Sequence, residues 1–137
     1  MKTNTMILQN SSYHQGLLFC AHLIMNVDGV IDERELTALQ SIREEENIPH
    51  HEYSQFQETI RHKTEKEIYL EGLEFLNRCS EQERLRAMVH LFRLTESDET
   101  IHRKEVRFLL YSIKGTNVDF NEVEINARLV KARKTGQ

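Results

Sequence analysis

One proline and five glycines in 137 residues leave few breaks in the chain, and no stretch alternates polar and apolar residues for long enough to make a strand. An all-β fold is therefore excluded. A charged fraction of 29% beside 39% hydrophobic residues argues equally against disorder and points to one globular helical domain. Basic patches are scarce. The net charge is −4 and the only dense basic run is the tail Lys131, Arg133, Lys134, which complements the dipole of a last helix, so no nucleic-acid partner is expected. Long apolar runs are missing too. The longest, Gly16 to Met25, is interrupted by His22 and is shorter than the ~20 residues a membrane span requires. The polar residues before it, Gln9 to Gln15, do not resemble a secretory signal. Two cysteines, Cys20 and Cys79, belong to no CxxC pair and read as reduced core thiols in a cytoplasmic protein.

What is present is helical periodicity. Tyr13, Leu17, Cys20, Ala21, Ile24 and Met25 recur at three- and four-residue spacing and predict a first helix from about Ser11 to Asn26, after an N-terminal arm (1–10) expected to be partly disordered. A second helix is expected from Glu33 to about Glu46, with Leu36, Leu39 and Ile42 inward and Asn47 and Pro49 closing it. A third surrounds Tyr53, Phe56 and Ile60. Thr64 with Glu67, and Ser80 with Glu83, are capping boxes that open a fourth and a fifth helix, the latter burying Leu85, Met88, Val89 and Phe92. A sixth runs through Val106 and Ile113 to Gly115, and a seventh, capped by Asp119 or Asn121, ends near Val130. The expected architecture is an all-α, single-domain bundle of about seven helices over residues 11–133, followed by a short tail (134–137).

Two of the loops are copies of each other. Asp28-Gly29-Val30-Ile31-Asp32-Glu33-Arg34-Glu35-Leu36 aligns with Asp98-Glu99-Thr100-Ile101-His102-Arg103-Lys104-Glu105-Val106 at a constant separation of 70 residues, so the bundle is expected to contain two pseudo-repeated helix–turn–helix units. Folding explains part of this. Asp32 is a natural N-cap, Glu35 completes its capping box, and Ile31 staples to Leu36; Ile101, Glu105 and Val106 repeat the device with His102 as a poorer cap. Folding does not explain Asp28 and Asp98. A carboxylate just past a helix C-terminus faces the negative end of the dipole, at a cost of a few tenths to about 1 kcal/mol. Its structural alternative is an Asx-type turn into the next helix.

The stretch from Ala21 to Leu36, with its Asp28-Gly29-x-Ile31-Asp32-x-x-Glu35 core and a weaker copy later, resembles the TerB-like domains of the tellurite-resistance TerB family. The specific part is about nine residues in each copy. That resemblance implies a bundle of about seven helices, a cytoplasmic setting, acidic turns that bind a divalent cation, and a role in metal or oxyanion stress. Carried onto this sequence, the candidate metal ligands are Asp28, Asp32, Glu35, Asp98 and Glu105, and the cation is calcium, magnesium or manganese. The second copy departs from the pattern at Glu99 and His102. The same turn looks like half an EF-hand, but the opening ligand position falls on Ile24 and, in the second copy, Leu94, which cannot coordinate. The histidines supply no zinc-type spacing, and His50-His51 reads as a surface pair. No phosphate loop, nucleophile elbow or Ser–His–Asp order is visible, so an enzyme is not expected. The acidic run Glu44-Glu45-Glu46 reads as a solvated helix end. A different class of function, an interaction module that docks a partner protein or a second copy of itself, remains the alternative.

Overall fold

In the computed structural model the described residues are 2–26 and 33–96, and they form five helices: α1 (Lys2–Asn26), α2 (Glu33–Glu45), α3 (His50–Ile60), α4 (Glu65–Asn77) and α5 (Glu81–Glu96). The expected count of about seven is thus corrected to five, with no strand among the described residues. The helix stops and capping boxes before Glu96 divide this stretch into five segments, and the sixth and seventh expected segments lie outside the described residues. The first helix also begins at Lys2, not near Ser11, so helical backbone takes in the stretch expected as an arm.

α1 is the centre of the bundle. It packs on α4, α5 and α3, and its residues Leu17, Leu18, Phe19, Cys20 and Ala21 are buried consecutively, which is the pattern of a surrounded helix and not of a one-sided stripe. The crossing with α4 is close because glycines face it. A Cβ on Gly16 would meet Leu76 at 2.9 Å, and one on Gly72 would meet Phe19 at 3.1 Å and the Cys20 sulfur at 3.2 Å. Cys20 and Cys79 are free and buried, and burial pushes their thiols up to about 12 and about 11, so neither offers a reactive thiolate.

Local signals set the helix ends. Thr64 and Glu67 exchange their capping-box bonds at 3.2 and 2.9 Å, and Ser80 and Glu83 do the same at 3.1 and 2.9 Å. Asn47 takes a left-handed conformation (φ 53°), with its N–H on the Glu44 carbonyl and the Ile48 N–H on the Arg43 carbonyl. That pair of bonds is a Schellman stop, and it makes Glu46 the last residue of α2's cap. Of the residues expected inward, Leu85 and Phe92 are only partly buried, and Leu36 faces solvent. Leu39 and Ile42, further along the same helix, are buried, but Leu36 is 48% exposed.

The repeat extends into the core. Leu17 and Ala87, Leu18 and Met88, Phe19 and Val89, Cys20 and His90, Ala21 and Leu91, and Ile24 and Leu94 are pairs 70 residues apart in which both members are buried. The helices that lead to the two acidic turns therefore share a burial pattern, and they pack on each other.

Candidate functional site

The Schellman stop delivers Glu46 to a place where a carboxylate needs help: the negative end of α2, with its side chain only 9% exposed. Help comes from two other helices. Arg86, His90 and Arg93 recur at helical spacing on α5, so their side chains line the face that meets α2. Oε2 of Glu46 accepts from the Tyr13 hydroxyl at 2.5 Å, from Arg86 Nε at 2.9 Å and from His90 Nε2 at 2.8 Å. Arg86 Nε also donates to the Tyr13 oxygen at 3.2 Å, and its guanidinium lies 4.7 Å from the centre of that ring. With Nε2–H given to Glu46, His90 presents Nδ1 as the acceptor for Arg93 Nη1 at 3.3 Å, and Arg93 Nη1 in turn donates to Glu45 at 3.0 Å.

Charge and burial pull against each other at Glu46. Burial alone raises a carboxyl pKa, but the His90 and Tyr13 hydrogen bonds and the positive charge of Arg86 outweigh it and hold Glu46 down at about 2. Burial, together with the Glu46 bond and charge, pushes the Tyr13 phenol well above its ordinary value, so it keeps its proton and donates it to Glu46 while its oxygen accepts from Arg86. Glu45, Glu46, Arg86, Val89, His90 and Arg93 line an open surface hollow of about 400 Å³. A second pair lies on the other side of Tyr13: His14 Nδ1 is 2.5 Å from Glu52, whose backbone carbonyl accepts from Gln15 at 3.1 Å. These groups are matched donors and acceptors, so the arrangement locks helices together and leaves no nucleophile beside a free base.

The acidic run was therefore misread at Glu46. Glu44 and Glu45 are exposed as expected, Glu45 with an ion pair to Arg93, and Glu46 is the hub of the cluster. A sequence signal existed in the Asn47 stop, which fixes where α2 ends, and in the Arg86, His90, Arg93 spacing, but their meeting depends on tertiary packing. His50 and His51 are exposed. Among the described residues no group of three or more His, Cys, Asp or Glu comes together to hold a metal ion.

Of the expected metal ligands, Asp28, Asp32, Asp98 and Glu105 lie outside the described residues, and Glu35 is placed only as a position in the first turn of α2. The ends of α1 and α5 do bear on the EF-hand comparison. Ile24 and Leu94, which would open such a loop in each copy, are fully buried core residues, so a complete loop of about six to eight oxygens does not fit either turn. No helix among the described residues is long and apolar enough to cross a membrane.

Fold and site together define a small helical bundle with ion pairs built into its seams. The family model described as "Tellurite resistance protein TerB" matches residues 14–119, and the chain belongs to that family. As a member of it, the chain is a non-enzymatic helical protein. No curated protein and no solved structure matches the chain.

Proposed function

We propose that this TerB-family protein binds a divalent cation weakly through its two acidic turns, in a cytoplasmic response to tellurite or metal stress. The observation that carries the reading is the pair Asp28 and Asp98, carboxylates 70 residues apart that follow the ends of α1 and α5 in the sequence, where a helix dipole disfavours them. Support comes from the helices before those turns, which share a burial pattern at the same separation and pack together. The family match also spans both turns. Asp28, Asp32 and Glu35 from the first turn, with Asp98 and Glu105 from the second, would hold the ion. Their carboxylates suit calcium, magnesium or manganese, and the loss of the opening ligand at Ile24 and Leu94 keeps the affinity low.

Thermal unfolding of chelator-stripped protein, with each cation added in excess, tests this directly. A ligand at 100 times its dissociation constant stabilises the native state by about 2.7 kcal/mol, so the melting point should rise by several degrees with one cation and not in Asp28→Asn. If no cation moves the melting point, the reading falls and the interaction module takes its place. That alternative is favoured by Leu36 and Leu70, exposed at 48% and 52%, and it predicts a mass that rises with concentration or with a bound protein partner.

A further inference from the structure

His90 sits between the two carboxylates that end α2 and the arginines that flank it on α5. Its side chain is only 8% exposed, and both ring nitrogens are engaged: Nε2 gives its hydrogen to Glu46 at 2.8 Å, and Nδ1 accepts from Arg93 Nη1 at 3.3 Å. A second group waits at Nδ1. Oε2 of Glu45 lies 3.8 Å from that nitrogen, outside hydrogen-bond range, while the Glu45 carboxylate accepts from Arg93 at 3.0 and 3.4 Å. Nδ1 can accept from Arg93 only while it carries no hydrogen. Once protonated, it is a donor facing another donor and a positive charge facing another positive charge. A movement of about 1 Å then brings the Glu45 oxygen to an ordinary N–H···O distance.

We propose that His90 is a proton-operated switch in the α2–α5 seam: on taking a proton at Nδ1 it draws Glu45 away from Arg93 and frees the Arg93 guanidinium into the hollow between the two helices. Glu46 stays on Nε2 in both states, so the helices remain joined while the partner of Glu45 changes. The lining of the hollow balances two carboxylates against two guanidiniums while the imidazole is neutral, and the proton leaves it with one net positive charge. In mildly acidic medium this surface therefore offers a guanidinium that it withholds at neutral pH. Imidazole is the side chain that ordinarily changes charge between about pH 5 and pH 8. The groups around it come from each helix packed on α5. Tyr13 of α1 keeps its proton, Glu45 and Glu46 come from α2, with Glu46 held ionised down to about 2, and α5 itself supplies Arg86 and Arg93. Among the described residues α4 contributes no group bonded to His90. None of these side chains belongs to the acidic turns, so the switch stands or falls apart from the cation reading.

The experiment is a nuclear magnetic resonance titration of the full, isotope-labelled chain from about pH 8 to about pH 5, reading the ring nitrogens of His90 and the guanidinium N–H groups of Arg93. The His90 signals are assigned by their loss in His90→Gln. At the upper end His90 should carry its hydrogen on Nε2, and the Arg93 Nη signals should be separate because Glu45 and His90 hold the group still. As His90 takes its second hydrogen, the Arg93 signals should merge through free rotation, and the Glu45 carboxylate carbon should shift at the same midpoint. Arg93→Gln should raise that midpoint and Glu45→Gln should lower it, each by roughly half a pH unit or more. A hydrogen found on Nδ1 at the upper end overturns the switch, as does a His90 that keeps a single hydrogen down to the lowest pH. Arg93 signals that stay separate while His90 titrates, or a midpoint that neither variant moves, overturn it as well.

Discussion

Where α1 crosses α4, Gly16 and Gly72 bring two helices close enough for Leu76, Phe19 and Cys20 to interlock, and shape holds the seam. Where α2 meets α5, Glu45 and Glu46 face Arg86, His90 and Arg93, and charge supplies much of the hold. The two seams should answer differently to their surroundings. Apolar interlock depends little on pH or salt near room temperature, while an ion-pair cluster depends on the protonation of its carboxylates and, at its exposed rim, on ionic strength. In this bundle α1 touches both, through Gly16 on one side and Tyr13 on the other.

The contrast is broken most severely from the apolar side. Leu76→Ala removes a fully buried side chain at the glycine crossing and should cost about 3 kcal/mol, the same at pH 7 and pH 5, by denaturant unfolding. An effect that shrank strongly with pH would mean the α1–α4 seam also depends on charge.

Glu46→Gln sharpens the other side, with an expected loss of roughly 2 kcal/mol, below the usual cost of breaking a buried pair because Arg86 is half exposed. Its larger effect is on pH dependence. Glu46 sits near 2 in the folded protein against an ordinary value of 4.5, so it contributes stability that is full above pH 4.5 and is lost as pH falls towards 2. Acid unfolding of the wild type should therefore be steeper than that of Glu46→Gln between pH 5 and pH 2. Parallel curves would show that the cluster is not where the acid sensitivity lies.

How far the sequence foretold this arrangement depends on the range of the interaction. The Thr64–Glu67 and Ser80–Glu83 boxes and the Asn47 stop were legible because each is settled within a few residues by backbone groups that need partners. The burial of Leu17, Ile24, Ile42 and Met88 was legible from helical spacing. Leu36 was not, since spacing gives a face but not which of its residues are covered. Glu46 was misread for a related reason. At the end of an acidic run its local environment argues for water, and the groups that reverse that argument, Tyr13 and His90, lie 33 and 44 residues away in the chain. The acidic turns stand on sequence alone, apart from Ile24 and Leu94, whose burial removes the EF-hand alternative.

The most direct measurement is a nuclear magnetic resonance titration of isotope-labelled, chelator-stripped protein with manganese(II), whose unpaired electrons broaden the signals of nearby residues. Two acidic turns that share one weak cation site predict early broadening around both Asp28 and Asp98, lost around both in Asp28→Asn. Broadening spread evenly over exposed carboxylates such as Glu33, Glu44 and Glu81, with neither turn preferred, would contradict the account.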